Sequence, residues 1–264
     1  MQKPGIIVHG HFGEWVQGRI GSDGPVALVT MACPVLDVRA PGRGLHLSEL
    51  FTAAQLERFR DALGVSEPWP ELSCDIPLGA GAGASTACLV AAARGAGFDD
   101  SDDALARACL AAEGASDPLM FPAADRLLWA SRDATVLRHV PPPPACEILG
   151  GLWGPAQRTD ATDTHFPDIA DLLDDWATAT TRGDLAMAAG IASLSATRCT
   201  ALRGPADPMP ELAVALGALG HARAHTGSAR ALIFAPGTIP PGAEGELRDA
   251  GLRAVMRFST GVAT

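Results

Sequence analysis

The stretch D-I-P-L-G-A-G-A-G-A-S-T-A, running from Asp75 to Ala87, decides how this chain is read. Three glycines alternate at Gly79, Gly81 and Gly83, and an alanine-rich helical pattern from Ser85 to Ala96 follows at once. Glycines in such a run let backbone N–H groups turn inward with no Cβ in the way, forming a concave nest for an anion. Ser85 and Thr86 fall where the helix should start, so unpaired amides and the positive end of the helix dipole converge there. The spacing predicts a phosphate site, although a tight turn accounts for the same glycines. Neither G-x-G-x-x-G nor a Gly-Lys-Ser/Thr ending is present, so no loop lysine would share the phosphate charge.

Beyond that helix, four aspartates cluster in F-D-D-S-D-D before A-L-A-R-A-C-L-A-A-E. Carboxylates ahead of a helix start are favoured by the dipole and by capping, which makes this cluster a solvated cap rather than a metal site. Glu113 closes the second helix and Asp117 lies in the loop after it. Mg²⁺ carried by a nucleotide takes carboxylate and hydroxyl oxygens, and a phosphoryl acceptor needs a carboxylate near its hydroxyl. Ser85, Glu113 and Asp117 could supply that set; an ordinary helix end explains the two carboxylates equally well.

Upstream, Gly5 to Val8 reads as a strand, and H-F-G-E-W-V-Q-G follows, with Gly13 and Gly18 bracketing Glu14 and Gln17. These two polar residues either line a pocket or belong to a hairpin whose Glu14 faces water. His9 and His11 alternate and would share one strand face, but two histidines without a third ligand do not make a metal site. Pro25 to Thr30 and Cys33 to Arg39 read as two strands, and Ser48 to Leu63 as one amphipathic scaffold helix. Downstream, Asp133 to Val140 reads as a strand, and Pro141 to Pro144 form a stiff connector that divides the chain. A buried strand over Glu147 to Leu152 follows, then helices over Ile169 to Thr180, Leu185 to Thr197 and Glu211 to Gly220. In A-H-T-G-S-A-R, the residues His225, Thr226, Gly227 and Ser228 precede the apolar run A-L-I-F, as pocket or hairpin. Gly242 to Phe258 reads as a helix and a last strand.

The chain has 264 residues, 47% hydrophobic and 19% charged, with a formal net charge of -10. That is enough chain for one large or two modest globular domains. The negative charge argues against a nonspecific nucleic-acid or anionic-membrane surface. Six cysteines are scattered without a C-x-x-C pair, which reads as reduced thiols in a cytoplasmic protein. No segment reads as a signal peptide or a membrane span.

Six stretches together resemble the GHMP kinase superfamily, and within it the L-threonine kinases of cobalamin synthesis. They are G-E-W-V-Q-G, A-L-V-T-M-A-C-P-V, the glycine loop, A-S-D-P-L-M-F-P, H-F-P-D-I-A-D-L and A-H-T-G-S-A-R-A-L-I-F. The resemblance implies an α+β, two-domain fold. Residues 1–144 would form an N-terminal, ribosomal-protein-S5-like α/β domain with the phosphate loop, and residues 145–264 a C-terminal ferredoxin-like domain. It implies an ATP- and Mg²⁺-dependent kinase for the side-chain hydroxyl of L-threonine or a similar small molecule, compatible with a homodimer. Pro77, Gly79, Gly81, Gly83, Ser85 and Thr86 would bind ATP, and Ser85 and Glu113 the metal. Asp117 and Ser85 would be catalytic, while Glu14, Gln17, His225, Gly227 and Ser228 would bind the acceptor. Three departures from the family pattern stand out: Ala84 replaces a serine, E-G-A-S-D sets Glu113 one residue farther from Asp117, and Ala80 and Ala82 replace basic or bulky loop residues. A catalytically silent relative, or a kinase for another hydroxyl such as that of homoserine, is the alternative.

Overall fold

The computed structural model describes residues 5–157 and 159–261. The chain opens with two long antiparallel strands, β1 (Ile6–Arg19) and β2 (Val26–Ala40). The short helix α1 (Leu47–Leu50) is followed by α2 (Ala53–Leu63), then β3 (Ser73–Cys74), α3 (Ala84–Gly95) and α4 (Asp102–Glu113). The strands β4 (Leu127–Ala130), β5 (Thr135–His139) and β6 (Cys146–Leu152) lead into three helices: α5 (Leu172–Arg182), α6 (Leu185–Arg203) and α7 (Met209–Leu216). The chain closes with β7 (Gly220–Arg223), β8 (Ala229–Phe234), α8 (Ala243–Asp249) and β9 (Arg253–Thr260). All strands join one antiparallel sheet, in the order β5-β4-β2-β1-β7-β8-β6-β9, with β3 also on β2.

Several local expectations change. H-F-G-E-W-V-Q-G is no hairpin but the body of β1, and the M-A-C-P break lies inside β2. Both strands continue because their irregularities are β-bulges, at His9/Gly10, His11/Glu14 and Glu14/Val16, which bend a strand without ending it. The first bulge also separates the two histidines: His9 is exposed and His11 buried, so they share no face. The expected helix over Ser48 to Leu63 is broken after Leu50, where Thr52 and Gln55 form a capping box that starts α2 afresh. The strands β4 and β7 were absent from the sequence reading. Ser101 caps α4 as the aspartate cluster implies, its hydroxyl accepting from the Ala104 amide.

The helix α3 is buried along nearly its whole length and packs on β1 and β2. Alanine combines the strongest helix propensity with the small size that this close approach needs. The helix α6 packs on β1, β7 and α5 in the same way. Contrary to the sequence reading, α6 is long and apolar enough to cross a membrane, but Ala188, Ala189, Ile191, Ala192 and Ala196 are buried in the fold, as in a core helix. The two halves of the sheet meet at one β1–β7 pair, Glu14 opposite Arg223.

Candidate active site

The glycine loop is fixed largely through its carbonyls, which leaves the amides of Gly81, Ala82 and Gly83 free. The carbonyl oxygens of Gly79, Ala80 and Ala82 accept hydrogen bonds from the backbone N–H groups of Gln157 (2.8 Å), Ala229 (2.8 Å) and His11 (3.2 Å). Among the described residues, the N–H groups of Gly81, Ala82 and Gly83 have no acceptor in backbone or side chain. Gly79, Gly81 and Gly83 all have φ between +71° and +78°, the alternation that turns successive amides to one side. Gly83 is also the N-cap of α3 and offers no capping side chain, so the helix terminus opens into the same concavity.

The late glycine turn interlocks with this loop. A Cβ on Gly81 would lie 1.9 Å from the Thr226 carbonyl oxygen, and one on Gly227 would lie 2.4 Å from the Gly81 amide nitrogen. Two turns far apart in sequence thus touch backbone to backbone.

A cavity of about 250 Å³ opens over the loop. At its α3 end, Ser85 and Thr86 donate their hydroxyls to the two oxygens of Glu113, the Thr86 bond being 2.7 Å. Within E-G-A-S-D, Gly114 caps α4 at φ 75° and turns the chain, and Glu113 and Asp117 line the same cavity. Asp117 is positioned by its own amide donating to Thr86 Oγ1 (3.3 Å) and by Trp129 of β4, whose indole donates to the Ser116 carbonyl (2.7 Å). Burial raises the Glu113 pKa to about 8, against the two hydroxyl bonds that favour its charge.

The adjoining wall comes from β1. His11 Nε2 lies 3.4 Å from Asp117 Oδ2, and His11 Nδ1 lies 3.4 Å from Glu14 Oε1, giving a carboxylate–imidazole–carboxylate row. Burial works against a charge on His11, but Glu14 and Asp117 together outweigh it and raise the ring to about 9. Burial also lifts Asp117, yet the His11 cation beside it brings the carboxyl below its ordinary value. Glu14, 1% exposed with neither carboxyl oxygen hydrogen-bonded, is raised by burial to about 8. The His11 ring therefore carries the proton at neutral pH while Asp117 stays ionised. Because the folded value lies above the unfolded one, the stability this proton contributes is complete below pH 6.5 and is lost as the pH climbs through about 9. Imidazole ¹⁵N shifts should show His11 titrating near pH 9, well above the usual imidazole range; an ordinary midpoint near pH 6.5 would contradict the row.

The third wall is His225, Thr226 and Arg132. The His225 ring stacks on Phe166 with centroids 3.9 Å apart, and Arg203 lies 4.0 Å over the other ring of that pair, Phe166. Burial, with the Arg132 and Arg203 cations, depresses His225 to about 3, so it is a neutral hydrogen-bonding group. Among the described residues both its ring nitrogens are buried without a partner. Arg132 Nε is likewise buried and unpaired. Leu28, Leu50, Phe51 and Leu78 add apolar lining to the cavity.

Of the residues singled out from sequence, Glu14, Pro77, Gly79, Gly81, Gly83, Ser85, Thr86, Glu113, Asp117 and His225 line this one cavity. Gln17, Gly227 and Ser228 do not. The Gln17 amide donates to the Arg223 carbonyl (2.7 Å) and its oxygen accepts from Cys199, so it ties β1 to β7 and α6. Gly227 abuts the glycine loop, and the Ser228 carbonyl accepts from Trp153 N–H. Sequence reading missed His11, Arg132, Phe51 and Gln157; for Phe51, the Thr52–Gln55 capping box beside it was the available signal.

The residues fit a Mg²⁺-nucleotide. The free loop amides and bare helix terminus suit phosphate oxygens, and Ser85 and Glu113 place a hydroxyl and a carboxylate beside them. Among the described residues no group of three or more His, Cys, Asp or Glu could hold a metal, so Mg²⁺ would need phosphate oxygens to complete its shell.

No family model matches the sequence, and no curated protein matches it. Solved structures do match along the whole chain. Mevalonate kinase from L. major, in complex with R-mevalonate, superposes with a TM-score of 0.63 at 11% identity, covering 98% of this chain and 96% of that one. Homoserine kinase from Cytophaga hutchinsonii gives 0.63 at 15%, covering 98% and 95%. Phosphomevalonate kinase from Streptococcus pneumoniae gives 0.63 at 11%, covering 97% and 99%. The antiparallel sheet with its helical cover, shared end to end with these proteins, is the two-domain α+β fold of the GHMP kinases.

Proposed function

We propose that this protein is an ATP-dependent kinase that phosphorylates the side-chain hydroxyl of a small hydroxy amino acid, L-threonine first among them. The observation that carries the reading is the union of free loop amides, the Ser85–Thr86–Glu113 cluster and Asp117 in one cavity. In this reading Mg-ATP supplies the phosphoryl group and the neutralising cation. Gly81, Ala82 and Gly83 hold phosphate oxygens with their N–H groups, and Ser85 and Glu113 hold the metal. Asp117 accepts the proton of the acceptor hydroxyl, and the His11 cation keeps it ionised for that task.

Threonine is favoured by the sequence resemblance and by charge. Glu14, whose carboxyl oxygens accept no hydrogen bond although one lies 3.4 Å from His11 Nδ1, offers an acceptor to an ammonium group, and Arg132 with neutral His225 offers donors to a carboxylate. Threonine phosphate so formed would feed the aminopropanol linker of cobalamin, and the cytoplasm is where such chemistry belongs.

The test is ADP release with Mg-ATP against L-threonine, L-serine, L-homoserine and mevalonate. Threonine-dependent turnover is expected. Turnover with homoserine or mevalonate alone would keep the kinase and replace the acceptor, whereas nucleotide binding without turnover would favour a silent relative. Glu14→Ala should raise KM for the amino acid by about 10-fold or more while leaving KM for ATP nearly unchanged, the loss of a charge-assisted contact. Equal effects on both would remove Glu14 from the acceptor site.

A further inference from the structure

A second cavity, of about 450 Å³, lies behind the segment that follows Asp117. Its walls are mostly apolar, including Val8, Val90, Leu119, Met120 and Phe121. One cation stands in them without an ion pair: among the described residues Arg126 has no carboxylate within 4 Å, its side chain donates no hydrogen bond, and its Nε is buried without a partner. The neighbouring Asp125 lines the same cavity and feels the Arg126 cation, but it forms no ion pair with that guanidinium within 4 Å, and burial outweighs the attraction and raises its pKa. The other arginine in this wall, Arg94, is paired with Asp102 and donates to the carbonyls of Phe98 and Asp100.

A buried guanidinium nitrogen with no acceptor is costly, and a mostly apolar cavity of this size is in the range that encloses a small ligand. We infer that this cavity binds a small amphipathic carboxylate, its apolar body against Leu119–Phe121 and its anionic end on Arg126. An arginine takes a carboxylate through paired N–H donors, which an alcohol of the same length cannot match. The inference is independent of phosphoryl transfer in the first cavity, since Arg126 lines only the second.

Calorimetric titration of the full-length protein with octanoate tests it, with 1-octanol as the uncharged probe. Saturable octanoate binding is expected, weakened about 10–100-fold both for octanol and in the Arg126→Gln variant. Absence of saturable octanoate binding at millimolar concentration, or equal octanoate affinity for wild type and R126Q, overturns the proposal. Should R126Q fail to fold, Ala123→Phe fills the cavity from another wall residue; it is expected to abolish octanoate binding, and unchanged binding would equally overturn the site.

Discussion

Asp117→Asn is expected to slow turnover about 10²–10⁴-fold, the usual contribution of a positioned general base. Asparagine keeps the shape of the side chain and the backbone bond to Thr86 Oγ1, so the fold and the glycine loop should be undisturbed. What disappears is the charge. An amide cannot take the acceptor's proton, and it no longer supports the cation on His11, whose Nε2 lies 3.4 Å away. The variant should therefore show two linked changes: a loss in kcat with nucleotide affinity retained, and a His11 midpoint shifted down from about 9. A loss in kcat with an unmoved His11 would mean that Asp117 acts on substrate without the imidazole. Turnover within about tenfold of wild type would leave Asp117 only orienting the acceptor, which a loose phosphoryl-transfer transition state permits.

What could be read in advance follows the range of the interactions. Alternating glycines, the cap at Ser101 and the helix end at Glu113 are set by neighbours in sequence, and each lies where local chemistry places it. His11 was legible only as a residue next to His9, because its orientation depends on a bulge against β2 that alternation does not announce. Arg132 was hidden by the short strand L-L-W-A before it, too brief to show a period. Gln17 looked like Glu14, a polar residue between glycines. The difference is that Gln17 finds partners on β7 and α6, both formed by the last third of the chain.

Gly81→Ala is the second large effect, expected to cost about 2–5 kcal/mol: roughly 1–2 for the left-handed backbone and 1–3 for overpacking. The added methyl would meet the Thr226 carbonyl at 1.9 Å, a backbone atom that cannot swing aside as a side chain would. Gly64→Ala separates the two contributions. Gly64 has φ +64° at the end of α2 with nothing within 4 Å of a Cβ, so it should lose only about 1–2 kcal/mol. Urea unfolding of both variants reads the difference, a sizeable share of the roughly 5–15 kcal/mol that holds a domain folded. If G81A is no less stable than G64A, the two turns yield to one another. Because the loop amides would be displaced even in a folded G81A protein, nucleotide affinity should fall in that variant and not in G64A.

The carbonyls of the glycine loop are moored to Gln157 and Ala229, in the half of the chain made later. During synthesis the loop and α3 leave the ribosome long before β8 exists to hold Ala80, and closure across so long a stretch of chain is a slow, late event. The nascent protein would thus carry its glycine-rich segment with only the Ala82 carbonyl moored, to His11, and without the full shape proposed to hold phosphate. Nucleotide affinity should arrive only with the final strands, so ATP would favour the completed fold over every partial one and act as a ligand that selects finished molecules.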